Sequence, residues 1–290
     1  MVKDAFGLYM KKIAPVIFFI LIFTAVNNSL LAQASLHFNV GYLFPLFGSE
    51  LNPYNSSITG ITSSDIHSSW GKGGSFGASV DYKFNKYLDL EIGATYRYGS
   101  TVSYNDTIGG LTNSTSDHLR LFVFSLGDIY NFKCHKSITP YLGAGMILGV
   151  DDDVIIAETS NDDFGNSTIF NSKLTCSPAF GAYGKFGINF QLSPGFSFFS
   201  ELSASVLSIT PENLSVSSVN QNGTDITNTL MPYQQETEYS KTTSNQPFTQ
   251  LQPNKEMTQS IPASSWGISI GIVFSLRATP SPKEKSPANN

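Results

Sequence analysis

Apolar and polar residues alternate one by one over eight segments of this chain. Such period-two alternation is typical of a β-strand whose two faces meet different surroundings. The register is clear in all of them but one, 119–132, which carries apolar residues on both faces. The pattern predicts an all-β chain of eight antiparallel strands, most of them long enough to cross a bilayer when tilted. The segments are 36–44, 75–84, 88–98, 119–132, 138–149, 179–192, 196–209 and 265–275.

The connections between these segments alternate strictly between short and long. The short ones are 85–87, 133–137 and 193–195, and the long ones are 45–74, 99–118, 150–178 and 210–264. A soluble domain rarely holds four long loops without secondary structure, whereas transmembrane barrels have short periplasmic turns and long extracellular loops. Because an open sheet in lipid would leave unpaired edges, the last strand is expected to pair with the first. The sequence therefore predicts an eight-stranded antiparallel transmembrane β-barrel over 35–276, with both of its ends in the periplasm.

The main structural alternative is a soluble sandwich or a lipocalin-like barrel, whose outer face would be polar. In this chain the face opposite the charged residues is continuously apolar, which is more than one soluble core could bury. Aromatic residues also cluster near the predicted strand ends, where a membrane barrel carries two interfacial girdles. The expected girdle residues are Tyr42, Phe44, Tyr82, Phe84, Tyr98, Phe190, Phe196, Trp266 and Phe274.

The N-terminal segment 1–34 has the three parts of a secretory signal peptide. Three lysines precede an uncharged apolar stretch over 13–26, and Ala32-Gln33-Ala34 offers a small-x-small cleavage site. The apolar stretch is too short to cross a bilayer as a helix, although an uncleaved N-terminal anchor is the alternative. Translation could begin at Met1 or at Met10. The segment predicts export with cleavage of the signal and, with the barrel, the outer membrane of a Gram-negative bacterium as the location.

Three segments resemble the small outer-membrane barrels of the OmpA/OmpX type. They are 139–145 (TPYLGAG), 186–190 (FGINF) and 267–276. The resemblance covers about 36–276 and implies the barrel fold without implying a particular function. Residues 277–290 are expected to form a periplasmic tail, without the peptidoglycan-binding domain of full OmpA proteins. The loop 210–264 is longer than is usual in that family.

Charged residues gather on the face that is predicted to line the barrel interior. The interior of an eight-stranded barrel is just wide enough to be filled by side chains. The expected register places Lys83 opposite Asp89, Arg97 near Glu91, and Lys185 diagonal to Glu201. A packed polar plug is favoured over a narrow ion path, because buried charges need partners. The expected lumen network is Asp81, Lys83, Asp89, Glu91, Arg97, Lys185 and Glu201, with Asn189 and Gln191 on the same face.

No pattern in the sequence indicates a catalytic site, a cofactor site or a metal site. The four histidines are His37, His67, His118 and His135, and none lies at strand spacing from a serine and an acid in a known motif. An acidic stretch contains 151–153, Glu158, Asp162 and Asp163. Its spacing matches no calcium-binding motif, so it is expected to be a solvated surface loop.

The two cysteines are expected to be unpaired within the chain. Cys134 falls in a predicted periplasmic turn, and Cys176 falls near the outer end of the sixth strand. Opposite rims of an apolar belt about 25 Å tall are far beyond disulfide reach.

Net charge and loop composition limit the partners. The formal net charge is −5, and loss of three lysines and one aspartate with 1–34 leaves about −7. Nucleic acid is excluded as a partner because no basic stripe is visible. The loop 210–264 is rich in Asn, Gln, Thr and Ser and is expected to be flexible.

The sequence predicts a monomeric, non-enzymatic barrel with a structural or surface-interaction role through its extracellular loops. The expected partners are outer-membrane lipid and lipopolysaccharide, with an extracellular ligand at the loops as a further option. The runner-up function is a small porin-like channel, and the third is a lipid-modifying enzyme.

Overall fold

The computed structural model describes residues 34–46, 49–50, 67–68, 71–108, 111–132, 137–162, 164–241, 250–258 and 260–276. The predicted signal peptide up to residue 33 and the predicted tail 277–290 lie outside these ranges. Eight strands form the barrel. They are β1 (Ala34–Pro45), β4 (Gly73–Lys83), β5 (Leu88–Gly99), β7 (Leu111–Asn131), β8 (Ile138–Asn161), β10 (Ala179–Ser193), β11 (Phe196–Gln221) and β16 (Ser265–Leu276).

The remaining elements are short or belong to one end of the barrel. They are β2 (Ser49–Glu50), β3 (His67–Ser68), β6 (Val102–Ile108), β9 (Ser167–Ser177), β12 (Thr224–Asp225), a 3₁₀ turn (Thr227–Thr229), α1 (Pro232–Gln235), β13 (Glu236–Ser240), β14 (Asn254–Met257) and β15 (Ile261–Pro262). No helix within the described part of the chain is long and apolar enough to cross a membrane.

Eight strands close into a ring, and every predicted segment forms one of them. The order around the ring is β1, β4, β5, β7, β8, β10, β11 and β16, with antiparallel pairing throughout. Closure is made by β1 and β16, which pair from Ala34 opposite Leu276 to Pro45 opposite Ser265. The prediction of an eight-stranded antiparallel barrel is confirmed.

The outward face of the ring is an apolar belt. The register of 119–132, which the sequence leaves open, is settled by burial: Leu121 and Val123 point inward, and Leu126 points outward. Such a surface suits contact with lipid, because soluble monomers rarely expose contiguous apolar patches of this size. The outward residues include Phe38, Val40, Phe76, Leu126, Leu142, Met146, Phe180, Phe186, Leu202, Val206, Ile268 and Ile270.

Aromatic pairs lie at both margins of the belt. At the end where the barrel strands join through long connections, Phe44 stacks on Trp266 with ring centroids 4.6 Å apart. At the end with short turns, Tyr87 stacks on Tyr130 at 6.0 Å, and Phe196 lies 5.3 Å from Phe274. Amphipathic rings at two levels are the girdles of a transmembrane barrel.

Three barrel strands continue beyond the belt and pair there with further strands. The outer parts of β7, β8 and β11 (111–119, 154–161 and 210–221) pair with β6 and β9, and β11 pairs further with β13, which carries β14. We call this set of strands the outer sheet. The sequence predicts a flexible loop over 210–264 and loops without strands over 99–118 and 150–178; in the described ranges these stretches instead form much of the outer sheet.

Bulges mark the places where β8 and β11 leave the belt. Opposite Arg120 and Phe122, β8 carries one extra residue between Val150 and Asp153, and β11 has a similar shift between Pro211 and Asn213. Because side chains alternate with period two, one extra residue turns the following side chains to the other face. Before the bulge, odd-numbered residues of β8 such as Ile147 point inward; after it, the even-numbered Val154 points inward.

The inward residues beyond the bulges form an apolar cluster that fills the outer mouth of the barrel. We call this cluster the outer core. Val154 and Ile209 are its most buried members, both at 0% exposure. Since its members come from both the barrel and the outer sheet, the two layers are packed as one body. The cluster is Leu119, Leu121, Val123, Ile147, Val154, Leu174, Cys176, Ala179, Leu207, Ile209 and Ala263.

Candidate functional site

The lumen holds most of the charged residues that the sequence places inside, and it is built in layers. At the turn end, Ile129, Tyr141, Phe199 and Val273 form a buried cluster. His37 packs on Phe199, with ring centroids 5.7 Å apart. This layer closes the mouth of the barrel at its short-turn end with apolar and aromatic groups.

An ion pair lies beside this aromatic layer. The His37 Nε2 atom is 2.9 Å from an Asp81 carboxylate oxygen, and the Asp81 side chain is almost fully buried. His37 is opposite Ser79 in the register and Asp81 is opposite Ser35, so the pair is diagonal across β1 and β4. The Ser35 hydroxyl lies 3.4 Å from the same Nε2 atom.

A lysine between two glutamates spans the middle of the lumen. The Lys185 ammonium lies 2.5 Å from a Glu91 oxygen and 3.2 Å from a Glu201 oxygen, and all three side chains are at least 90% buried. Glu91 is on β5 and Lys185 is on β10, two strands that are not neighbours in the ring. The ammonium thus bridges the lumen from one wall to the other, and water-filled passage at this level would require the bridge to break.

Hydroxyl groups complete the environment of the two glutamates. Tyr183 donates to Glu91 at 2.9 Å and Tyr141 donates to Glu201 at 2.9 Å, while Ser79 donates to Glu91 at 3.3 Å. A buried charge is tolerated when its partners satisfy it in this way. The arrangement is that of a packed polar plug.

Above this bridge lies a cavity of about 100 Å³, whose lining includes the bridge residues Glu91, Lys185 and Glu201 and several hydroxylated residues. Arg97 is among its lining residues, and its Nη1 atom donates to the Ser205 hydroxyl at 3.1 Å and to the Ser265 hydroxyl at 3.4 Å. Beyond Arg97 the outer core begins, with Leu121 and Leu207 almost fully buried. The lumen is therefore closed at both mouths by apolar layers and in the middle by charge pairs.

The pairings predicted for the lumen have mixed outcomes. Lys185 and Glu201 lie on a diagonal as expected, because Lys185 is opposite Ser203. Lys83 is opposite Asp89 in the register, but Lys83 is exposed at the turn end. Asp89 instead accepts a hydrogen bond from the Asn131 amide at 2.7 Å.

The expected proximity of Arg97 to Glu91 is wrong. Arg97 lies six residues further along β5, about 20 Å at the rise of a strand, and binds serine hydroxyls. Asn189 is half-buried and Gln191 is exposed at the turn end. The plug thus uses Asp81, Glu91, Lys185 and Glu201 from the expected set, with Arg97 in a separate layer.

Sequence reasoning missed several members of the lumen network. His37, Tyr141 and Tyr183 each contact a buried carboxylate. The diagonal rule could have found the His37–Asp81 pair, because both residues lie on the polar face of neighbouring strands. The contacts of Glu91 with Lys185 and Tyr183 cross the lumen, and no pairing register predicts them.

Gly187 makes room for the tyrosine that holds Glu201. The Tyr141 ring lies directly over Gly187, so that any Cβ atom at this position would overlap its Cζ and hydroxyl atoms. We expect Gly187→Val to displace Tyr141 and to lower the free energy of unfolding by about 1–3 kcal/mol. Gly184→Val is the control, since a Cβ at 184 meets only Gly143 O at 3.9 Å. Urea unfolding in lipid vesicles measures both; equal stability of the two variants would contradict this packing.

Asp117 is a buried acid in the outer sheet. Its residue is 5% exposed, and its Oδ1 atom has no hydrogen-bond partner within the described ranges. Burial, together with nearby Glu158, raises the pKa of Asp117 from 3.8 to about 7. The neutral carboxyl is thus the form that the folded outer sheet favours.

The stability of the outer sheet should therefore depend on pH. The pKa of Asp117 is higher in the folded protein than in the unfolded chain. The stabilisation of the folded sheet by the neutral Asp117 carboxyl is therefore complete below about pH 4 and is lost as the pH rises through 7. We expect the opening free energy of amides in β7 and β8 to fall by about 2 kcal/mol between pH 5 and pH 8. Amide hydrogen exchange, corrected for intrinsic rates, measures it. Asp117→Asn should abolish this pH dependence, whereas Asp128→Asn, on the outward face, should leave it in place. Opening free energies that do not change with pH in the wild-type protein would contradict this role of Asp117.

The described residues offer little for catalysis or metal binding. Within these ranges, no three His, Cys, Asp or Glu side chains are grouped so that they could hold a metal ion. Ser35 and Asp81 approach the same nitrogen of His37, whereas a catalytic triad needs serine and acid on different ring nitrogens. In the acidic stretch, Asp153 pairs with Lys173 at 2.6 Å. Cys176 is in the outer core, and Cys134 and His135 lie outside the described residues, so the state of the cysteines stays a prediction.

Comparisons with known proteins give structural similarity only. No family model matches the chain, and no curated protein matches it. Similar solved structures include Neisserial surface protein A, at 13% identity over 84% of this chain and 97% of that chain, with a TM-score of 0.35. CarO of Acinetobacter baumannii shares 13% identity over 82% and 96%, with a TM-score of 0.32. Ail, the attachment invasion locus protein of Yersinia pestis, shares 8% identity over 83% and 96%, with a TM-score of 0.29.

Proposed function

We propose that this chain is an integral protein of the bacterial outer membrane that acts at the cell surface through its outer sheet, without a catalytic role. The observation that carries this proposal is the outer sheet itself. Strands β7, β8 and β11 rise past the belt as continuous strands, and the outer core fixes them to the barrel. Recognition usually resides in exposed elements that a rigid scaffold positions.

One aromatic side chain is presented at the tip of this sheet. Phe164 is 92% exposed in the turn between β8 and β9. Asn222, in the turn after β11, accepts from the Ser167 amide at 2.8 Å and donates to the Asn166 side chain at 3.0 Å. The two turns are thus tied together, and an exposed aromatic ring on a fixed turn is typical of a binding hot spot.

The lipid partners follow from the belt and its outer margin. Arg120 is exposed on the outward face of β7, and its guanidinium lies 6.0 Å from the Tyr98 ring centroid. A cation beside a girdle tyrosine is suited to the phosphate groups of lipopolysaccharide. The eight-stranded ring has no open edge in the belt, which supports a monomer.

The closed lumen argues against conduction. We expect purified protein in planar lipid bilayers to give no steady conductance steps. Steady, large steps would overturn the closed lumen and favour a small channel instead.

Binding by whole cells tests the surface role. Cells that display the protein are expected to bind at least one surface in a panel of matrix proteins, glycans and neighbouring cells. Phe164→Ser should weaken that binding about 10-fold or more, while Leu251→Ser, another exposed apolar residue, should leave it unchanged. Equal binding by cells with and without the protein across the panel would overturn the proposal.

A further inference from the structure

Arg97 is a cation inside the barrel, and its hydrogen-bond partners among the described residues are neutral. Its guanidinium donates to the hydroxyls of Ser205 and Ser265 through Nη1, and its Nε atom is buried without a hydrogen-bond partner in the described part of the chain. Among the described residues, no carboxylate oxygen forms an ion pair with it. A cation in such surroundings is costly unless an opposite charge joins it.

The acids of the lumen are engaged elsewhere. Glu91 and Glu201 share the Lys185 ammonium and accept from tyrosine hydroxyls, and Asp81 pairs with His37. The Cα atom of Arg97 is about 20 Å from that of Glu91 along β5. Within the described part of the chain, the Arg97 guanidinium thus has no carboxylate counter-ion.

The cavity beside Arg97 has room and hydrogen-bond donors for a counter-ion. Its volume of about 100 Å³ exceeds what one water molecule needs. Hydroxyl groups can donate to an anion as readily as they accept. The hydroxylated residues that line the cavity with Arg97 include Ser75, Thr95, Ser125, Ser203, Ser205 and Ser269. Glu91, Glu201 and Lys185 line it as well, and the Lys185 ammonium pairs with both carboxylates.

A second cation lies at the outer rim near Arg97. Arg97 lines a second, smaller pocket at the outer rim, together with Lys72, Gly73 and Tyr98. Lys72 is exposed, and this pocket is lined by two cationic residues, Lys72 and Arg97. Aligned charges of one sign raise the local concentration of oppositely charged ions.

We propose that the lumen cavity binds a small monovalent anion, of halide or formate size, with the Arg97 guanidinium as its principal partner. The lining hydroxyls are its further donors. The anion neutralises the Arg97 cation and accepts a hydrogen bond from its buried Nε atom. This inference goes beyond the proposed function, because the outer sheet and its ligand take no part in it.

Bromide is the probe for this site. Urea unfolding of the protein in vesicles is compared in sodium bromide and in sodium gluconate at equal ionic strength, since gluconate is too large for the cavity. Bromide should raise the unfolding midpoint, and the apparent bromide affinity should fall at least about 10-fold in Arg97→Gln. Arg120→Gln, which removes an exposed arginine from the outward face, should keep the wild-type response.

Anomalous scattering from crystals of the wild-type protein in bromide provides the second measurement. A bromide peak at the Arg97 guanidinium supports the proposal even if Arg97→Gln fails to fold. The same bromide response in wild type and Arg97→Gln would assign the effect to the surface and overturn the site. Absence of both the response and the peak would show that the cavity holds only water, and would overturn it too. Neither result depends on surface binding or conductance.

Discussion

Lys185→Met is expected to lower the free energy of unfolding of the barrel by about 3–5 kcal/mol, because it leaves two buried carboxylates without their shared cation. Methionine fills a similar volume, so the loss reports charge rather than a cavity. The measurement is urea unfolding of the protein in lipid vesicles, followed by the loss of its compact, heat-modifiable form on gels.

Two further variants separate this ion bridge from a general effect of losing a lysine. The triple variant Lys185→Met, Glu91→Gln, Glu201→Gln should recover much of the stability, because the buried charges are removed together. Lys173→Met breaks the pair with Asp153, in which the lysine is 47% exposed, and should cost no more than about 1 kcal/mol. If Lys185→Met proved as mild as Lys173→Met, the charge bridge across the lumen would be contradicted.

Ile209→Ala is expected to destabilise the outer sheet by about 2–5 kcal/mol, because it opens a cavity in the outer core. Ile209 is fully buried where β11 passes from barrel to outer sheet. Amide hydrogen exchange should show faster opening of β9 and of 210–221 than of the barrel strands. Trypsin cleavage at Lys173 on whole cells should accelerate in parallel.

Val206→Ala is the matched control for the outer core. Val206 lies three residues earlier on β11, but on the outward face, where it is 55% exposed. Its truncation leaves no internal cavity, so the opening of the outer sheet should change by less than about 0.5 kcal/mol. Equal effects of Ile209→Ala and Val206→Ala would mean that the outer sheet does not depend on a buried core.

The barrel could be predicted from the sequence because its physics is local. In the belt, lipid contacts one face of every strand and the packed lumen contacts the other. The alternation of apolar and polar side chains along the sequence is therefore enough to predict the barrel strands. The ends of the segments were less secure. The alternation in β8 stops near Gly149 and that in β11 near Ile209, and in both cases a bulge, rather than the end of the strand, interrupts the pattern.

The outer sheet was missed for the same physical reason. Beyond each bulge the inward side chains change parity, so a continuous strand looks in the sequence like a strand followed by a loop. Composition added to the error: Asn, Ser and Thr predict flexibility when read alone. In β9 and the outer part of β11, a few apolar residues such as Leu174, Leu214 and Val219 face inward, and these few suffice to order the polar strands.

The lumen network was predictable only where neighbouring strands supply both partners. The diagonal of Lys185 and Glu201 follows from the hairpin register. The bridge from Lys185 to Glu91, in contrast, depends on how far the strands are staggered around the ring, because that stagger sets which residues face one another across the lumen. The sequence does not contain that quantity in any local pattern, and this is also why Arg97 was placed near the wrong acid.

The most direct test of the account is a scan of spin labels along β16, from Trp266 to Phe274, in a variant whose two cysteines are replaced by serine. Oxygen concentrates in lipid, whereas water-soluble nickel chelates are excluded from it, so their relaxation effects report the surroundings of each label. Labels at the even positions, which face outward with Ile268 and Ile270, should be reached by oxygen. Labels at the odd positions, which face the lumen with Ser265 and Val273, should be shielded from both reagents. Uniform exposure to the nickel chelate along β16, without alternation, would contradict a closed barrel in lipid.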